Sequence, residues 1–496
     1  MSDEKKSVPA GETDVYAIHG ADPEVLAYAM AKYSRSALSM KESLAEISAQ
    51  RAEQFLNTFY FQYGHRSIAD LAHIPFAIER LSLLAAIALV DEQRWDGQER
   101  STRYQNFRKS GWYTPELGAA TPRFTLAVEA LFAAYDRLSA GMLEALKRAI
   151  VCPAEMKADA YERTLKARAF DVARYLLPLA TNTSLGQIVN ARTLETQVSR
   201  LLTSEFGEIR RLGEMLKRAA GEEAWSPVGN ERGVKAAPTL VKYAEANAYQ
   251  RATAEELTSA AAEVMNGAEI DGVPVVDLVD DDEALEVELA ASLLYPHCHY
   301  SYRQVRNVVG GLSAARRDAI VALGMKHRGR YDELLRAFSS GRGMRFDILM
   351  DIGGFRDMHR HRRCVQLLQG FTDRHGYEEP GCPGQPTLEE AGLAEEYKAA
   401  VTSAFAAYHH LRASGEPEAE QSAQYVLPLG TKCRAMFKMD FAEALYISEL
   451  RSGVAGHFSY RRVAWEMYRA VAKRHPGLAG YFRIEDVWEP VDLLKR

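Results

Sequence analysis

Ala173-Arg174-Tyr175-Leu176-Leu177-Pro178-Leu179 in the first half of the chain returns in the second as Ala423-Gln424-Tyr425-Val426-Leu427-Pro428-Leu429, 250 positions later. Chance supplies a Leu-Pro pair twice. It does not readily supply Ala-x-Tyr-x-Leu-Pro-Leu at mirrored places in two halves, which is the mark of an internal repeat. The shift persists downstream, because Arg174 to Asn190 and Gln424 to Asp440 are the same number of steps. Upstream, Ile74, Phe76 and Ile78 alternate with Pro75, Ala77 and Glu79, the pattern of a short half-buried strand with proline near its start. Phe346, Ile348 and Met350 alternate in the same way. The chain therefore reads as a tandem duplication, with copies over residues 13–225 and 290–496 and a connector over 226–289.

Between these anchors the pattern is mostly helical. Leu26, Met30 and Tyr33 share one face, and helical spacing continues to about Tyr63 before Gly64-His65 interrupts it. Residues 81–90 are almost wholly apolar and predict a buried helix. Residues 125–150 and 160–169 predict two more, and Asn190-Ala191-Arg192 opens another with Leu194, Val198, Leu201 and Leu202 as its apolar stripe. The connector carries Ser226-Pro227, Gly229, Gly233, an Ala-rich helical patch and the run Asp280-Asp281-Asp282-Glu283, a solvated face or a helix N-terminal charge. The fold class that follows is α+β, two similar halves each with a small sheet flanked by long helices.

With 496 residues the chain exceeds one ordinary domain, and 47% hydrophobic with 26% charged residues allows a sizeable core. A net charge of -6 and a pI near 6.2 argue against general nucleic-acid tracking, so an anionic ligand needs a local basic pocket. No apolar run is long enough for a bilayer, and Met1-Ser-Asp-Glu-Lys-Lys has no apolar stretch behind it, so no secretory signal is expected. Cys152, Cys298, Cys364, Cys382 and Cys433 form no Cys-x-x-Cys pair, which suits a reducing cytoplasm. His297-Cys298-His299 and His359-Arg360-His361 each place two imidazoles close together. Neither has a spaced carboxylate or third ligand, so no metal is expected.

Two short stretches carry chemistry. Glu99-Arg100-Ser101-Thr102-Arg103-Tyr104 offers a carboxylate, a hydroxyl and a guanidinium, a grip for a sugar phosphate and its base. Arg360-His361-Arg362 packs three basic or ionisable side chains together. In order, Gly64-His65-x-Ser67, a Phe-containing strand, Glu99-x-Ser101-x-Arg103-Tyr104, Ala173-Arg174-x-x-Leu177-Pro178 and Asn190-Ala191-Arg192 resemble the flavin-dependent thymidylate synthases. The family signature is Arg-His-Arg followed at fixed distance by Ser-x-Arg-Tyr. The first copy departs from it, with Asp91-Glu92-Gln93 at the Arg-His-Arg positions. The second departs oppositely. It keeps Arg360-His361-Arg362 and Leu450-Arg451 but has Leu368, Gly370 and Thr372 where the first has Glu99, Ser101 and Arg103.

What the resemblance implies is reductive methylation at uracil C5, dUMP to dTMP, with FAD as cofactor and NADPH and 5,10-methylenetetrahydrofolate as co-substrates. It implies one complete composite site between the copies, and a homodimer that mimics the family's tetramer. Arg360, His361, Arg362, His65, Ser67, Glu99, Asn190 and Arg192 are the expected flavin contacts. Glu99, Ser101, Arg103 and Arg174 are the expected nucleotide contacts, and Arg451 or Arg200 the group that polarises the pyrimidine, with Arg451 preferred. About four negative charges enter such a cleft, so several arginines must converge there. Two other readings stand beside this one: methylation of a different uridine derivative, and a non-catalytic relative that binds flavin or nucleotide.

Overall fold

The computed structural model describes residues 18, 20–32, 40–46, 66–227, 233–270, 272, 274–279, 285–327, 335–338, 343–480 and 482–494. His65, the Gly64 punctuation and the acidic run at 280–283 lie outside them, as does most of the helical pattern between Tyr33 and Tyr63. The first copy contains α1 (Pro23–Lys32), α2 (Met40–Glu46), β1 (His73–Ser82), α3 (Leu83–Leu89), β2 (Asp96–Glu99), α4 (Thr121–Ala149), α5 (Ala158–Ala173), β3 (Asn182–Asn190), α6 (Ala191–Thr203) and α7 (Gly207–Gly221). Next come α8 (Ala248–Val264), β4 (Val276–Leu278), α9 (Leu285–Leu294), α10 (Tyr302–Gly311) and α11 (Ala314–Lys326). The second copy continues with β5 (Met344–Asp351), α12 (Ile352–Met358), β6 (Val365–Leu368), α13 (Ala394–Arg412), β7 (Lys432–Met439), α14 (Phe441–Ser452) and α15 (Phe458–Arg474).

The order β1-α3-β2 returns as β5-α12-β6 at a shift of 269, and β3-α6 returns as β7-α14 at 250. The difference is absorbed after β2, where α4 and α5 of the first copy correspond to the shorter α13 and the single turn Ala419–Ser422 of the second. The strands form two sheets, β1-β3-β2 and β4-β5-β7-β6. Helix starts repeat as well. Ser82 caps α3 by accepting from Ala85 N at 2.9 Å, and its hydroxyl donates to Glu208 Oε2 at 2.6 Å. At the matching place Asp351 caps α12 by accepting from Gly354 N at 2.6 Å, and its other oxygen accepts from the Ser459 hydroxyl. The link is the same with donor and acceptor exchanged between cap and helix.

The two echoing stretches pair with each other. Leu179 N donates to Leu427 O at 2.9 Å and Leu429 N to Leu177 O at 3.0 Å; Ala180 N donates to Tyr425 O and Gly430 N to Tyr175 O, both at 2.9 Å. Pro178 and Pro428 face each other across this antiparallel bridge. Neither proline has an N–H to offer, so both sit where the ladder does not need one. The repeated motif is thus a local twofold seam between the copies.

Contacts divide the chain into two compact units. One comprises residues 1–74, 189–196 and 215–244. There the buried Glu24 accepts from the backbone N–H groups of Thr239 and Leu240 at 2.9 and 2.6 Å, and Ala27, Ala237 and Val241 are buried. The other comprises residues 75–188, 197–214 and 245–496. Its main core unites both copies, with Leu131, Leu138, Leu177, Phe355, Leu427, Phe437 and Met467 in one cluster. A second cluster packs α9 and α10 against Leu367 and Met436 of the sheet.

Two expectations are corrected. β5 is not half-exposed: Phe346, Ile348 and Met350 are buried, but so are Asp347 among them and Asp351 after them. The sheet is covered on both faces, so the alternation marks polarity rather than exposure. Asp347 is satisfied by Tyr295 Oη at 2.8 Å, Tyr302 N at 2.7 Å and Arg434 Nη1 at 2.9 Å. The segment between the copies is more than connector with helix, because Val276–Leu278 pairs with β5 as an edge strand. Three residues are too short for a period-two pattern to be read.

Candidate functional site

β2 ends at Glu99, paired with Leu185 of β3. The chain then turns, and Ser101 Oγ accepts from Arg103 N at 3.2 Å, a local turn that carries Arg103 inward. The Arg103 guanidinium is buried. It donates to both oxygens of Asp171 at 2.8 and 3.4 Å, to Tyr460 Oη at 2.9 Å and to Ala455 O at 3.2 Å. Burial works against its charge, yet Asp171 and Tyr460 outweigh that and raise its pKa further. Arg174, at the end of α5, donates Nη1 to Asp357 at 3.1 Å. Its Nε and Nη2 are buried without hydrogen-bond partners.

From the second copy, α12 brings Arg356 and Asp357, and the turn after it brings Arg360. Arg356 and Arg360 clasp Glu99, the latter through Nη2 at 3.2 Å. Burial would raise Asp357, but Arg174, Arg103 and Arg360 bring its pKa down to about 2. His361 Nε2 accepts from Arg451 Nε at 2.8 Å, and burial followed by the Arg451 charge lowers its pKa to about 3. Arg362 reaches Asp96 at 2.6 Å. The Arg451 guanidinium lies 5.3 Å from the centre of the Tyr460 ring, so Tyr460 touches Arg103 of one copy and Arg451 of the other.

The structure therefore brings Glu99, Ser101, Arg103, Arg174, Arg360, His361, Arg362 and Arg451 into one neighbourhood. Arg200 donates to Glu92 at 3.0 and 2.8 Å, and Glu92 lines a small cavity together with His361 and Arg362. Glu92 is the counterpart of His361, so Arg200–Glu92 repeats the Arg451–His361 contact with a carboxylate in place of the imidazole. Asp91, counterpart of Arg360, binds Arg336 at 2.5 Å. A cavity of about 20 Å³ beside these residues has room for one water rather than a nucleotide. Thr372, counterpart of Arg103, accepts from Arg374 N at 3.3 Å. Asn190 and Arg192 belong to the other compact unit, where they meet Asp70 at 3.5 and 3.3 Å. Asn190 also ends β3 and caps α6 through Thr193 N at 2.8 Å. The Ser67 side chain is not among the described ones, though its backbone lies in a short 3-10 helix, Arg66–Leu71.

Sequence reasoning missed Asp171, Arg356, Asp357, His457 and Tyr460. Asp171 stands one helical turn before Arg174, and Arg356 four residues before Arg360, spacings that put each pair on one face. Nothing local marks Tyr460 or His457. Buried His457 accepts from Ser459 N at 3.2 Å, so its other nitrogen carries the proton and donates to Asp171 O at 2.9 Å. Burial and the nearby Arg174 and Arg103 hold it well below the ordinary histidine value.

The description "Thymidylate synthase complementing protein" matches residues 17–224 and 341–477, the two copies in turn. The chain belongs to this family. Among its relatives, a UPF0159 protein of Chlamydia pneumoniae is 28% identical over 523 aligned positions, covering 97% of this chain and 93% of that one. The flavin-dependent thymidylate synthase of Clostridium tetani is 26% identical over 228 positions, 45% of this chain and 82% of that enzyme. A crystal structure of the Helicobacter pylori flavin-dependent thymidylate synthase complexed with FAD and dUMP aligns at 16% identity and a TM-score of 0.26, covering 45% of this chain and 96% of that one. In this member of the thymidylate synthase complementing family the family pattern occurs twice, and the signature residues are divided between the copies. No described helix is long and apolar enough to cross a membrane.

Proposed function

We propose that the chain carries out FAD-dependent reductive methylation of a uridine nucleotide, dUMP to dTMP, with 5,10-methylenetetrahydrofolate as carbon donor and NADPH as reductant. The reaction takes place at one composite site between the copies. The observation that carries this reading is Tyr460, bonded to Arg103 of the first copy and lying under Arg451 of the second, which itself bonds His361 of Arg-His-Arg. The donor set fits anionic ligands: Arg174 has two buried N–H groups without acceptors, and a dinucleotide or nucleotide phosphate supplies such acceptors.

FAD, when bound, would supply the hydride. The protein's residues do the holding. Arg103 and Arg174 take the nucleotide phosphate, Ser101 assists, and Arg360 and Arg362 stand ready for the flavin side. Glu99 fixes Arg356 and Arg360 in place. Arg451, aimed by a neutral His361, faces the pyrimidine edge and stabilises charge that develops there. Cysteine chemistry has no support nearby, because burial pushes the Cys364 thiol up to about 12.

The purified protein should be yellow, and reduced flavin should be oxidised in a dUMP-dependent way with formation of dTMP. Replacing His361 and Arg362 together by alanine should strip the flavin; full occupancy in that variant refutes the assignment. One observation favours a different uridine derivative. Asp171 and Asp357 already neutralise Arg103 and Arg174, so a phosphate dianion must compete with them. Offering deoxyuridine beside dUMP in the same assay separates the two readings. We further propose a cytoplasmic homodimer, which light scattering checks by mass.

A further inference from the structure

A cavity of about 140 Å³ lies on the far side of the first turn of α15 from Tyr460, bounded by β5, the loop at 378–383 and residues 487–488. It adjoins the nucleotide neighbourhood through Asp351, which feels the charge of Arg174, and the proposed reaction makes no use of it. Its wall includes Phe458, Val463, Val487 and the half-exposed Trp488. Arg461 also lines it. That side chain is buried, donates Nε to Ser452 O at 2.8 Å, and leaves Nη2 buried without a hydrogen-bond partner.

The other copy supplies an internal comparison. Arg210 is the counterpart of Arg461 on α7, and its guanidinium is fully engaged. It reaches Ser204 O and Glu205 O at 3.0 and 2.8 Å and Glu418 at 2.6 Å. The residue matching Glu418 in the opposite copy is Arg168, which carries the same charge as Arg461 and cannot replace the carboxylate. Arg461 therefore lacks the hydrogen-bonded carboxylate that its twin has; Glu485 and Asp486 act on it only through longer-range attraction. A buried N–H without an acceptor is costly, so an incoming anion gains the hydrogen bond that the fold leaves out at Nη2.

The carboxylates at this cavity do not meet that need. Glu378 is held by Lys432 at 3.2 Å and Arg462 at 3.6 Å, and Asp351 by Gly354 N and the Ser459 hydroxyl. Glu379 is exposed at the mouth. Arg462 lies 5.5 Å from the Trp488 ring centre, leaving the remaining aromatic surface to a ligand. The volume sets the size. An apolar cavity of about 150 Å³ holds one benzene ring, whereas drug-sized ligands need about 300 Å³ or more.

We propose that this cavity is a binding site for a single-ring aromatic carboxylate, its carboxylate on Arg461 and its ring against Trp488 and Phe458. Such a ring and carboxylate have two sources, a free aromatic acid or the aminobenzoylglutamate tail of a folate, whose carboxylate is carried on the glutamate beyond the ring. Benzoate and 4-aminobenzoylglutamate are the probes, titrated into the full-length protein by calorimetry and by tryptophan fluorescence, with benzamide as the uncharged control. Benzoate should bind saturably and benzamide at least tenfold more weakly. Tighter binding of 4-aminobenzoylglutamate than of benzoate identifies the folate tail, and the reverse identifies the free acid.

Arg461→Met keeps the stem and should lower affinity at least tenfold. Gly381→Trp should abolish binding by filling the mouth. A Cβ at Gly381 meets nothing within 4 Å, so that change is sterically open. Trp488→Phe should remove the fluorescence response and leave calorimetric binding within threefold. No saturable binding of either probe up to about 1 mM, the weak end of specific recognition, overturns the proposal. So does unchanged affinity in Arg461→Met and Gly381→Trp.

Discussion

Replacing Arg103 by lysine keeps a cation beside the buried Asp171 but loses the fork that also reaches Tyr460 and Ala455. Folding should survive, because Asp171 is not left unpaired. Nucleotide affinity should fall more than tenfold, in line with the roughly 2–5 kcal/mol attached to a buried charged contact. Thr372→Ala, at the matching position of the other copy, should leave affinity unchanged, and equal losses from both would contradict a site confined to one pairing. His361 gives a pH signature. Its pKa falls from 6.5 in the unfolded chain to about 3 in the fold, chiefly through burial. The unfolded chain thus binds the proton more readily. The stability held by neutral His361 is complete above pH 6.5 and is lost as pH falls toward 3. Denaturation of the native protein and of His361→Gln, compared across that window, should diverge with a slope approaching ~1.4 kcal/mol per pH unit. Parallel curves would mean that His361 is already charged.

α12 is the element on which the site is hung. It is only seven residues long, yet it carries Arg356 and Asp357 and delivers Arg360 to Glu99. Such a short helix has little stability of its own, so its cap matters more than usual. Asp351→Ala removes the acceptor for Gly354 N and strands the Ser459 hydroxyl. It should cost about 1–2 kcal/mol in chemical denaturation, the range for a lost N-cap. Nucleotide affinity should drop with it, because Arg360 and Asp357 lose their register. In the first copy Ser82→Ala uncaps α3, which is followed by Asp91 and Glu92 rather than an anion-binding set. That change should cost similar stability and spare the affinity. Affinity loss in both variants would show a general loosening instead of a role specific to α12.

At the scale of the whole chain the duplication sets the stoichiometry. One pairing of copies gathers Arg103, Arg174, Arg360 and Arg451. The mate has Asp91 and Glu92 where this pairing has Arg360 and His361, held on Arg336 and Arg200, so carboxylates stand where the favoured pairing presents a guanidinium and an imidazole. Titration of the purified protein should give one nucleotide per chain, and a ratio of two would contradict the split site. The sequence alone determined the duplication, the α+β class and the division of signature residues between copies. Each of these is written in local patterns, and position along the chain preserves them. The Tyr-x-Leu-Pro-Leu echo even marked the seam where Leu179 and Leu429 exchange hydrogen bonds with the opposite copy. Only the tertiary structure decided which carboxylates hold the arginines, and that Tyr460 joins Arg103 to Arg451. Arg103 and Tyr460 are 357 positions apart, and Arg174 and Asp357 are 183 apart. Contacts of that separation arise from the packing of α5, α12 and α15 in one core. No spacing rule within a helix or strand encodes them, because the partners share no local geometry until the copies have docked.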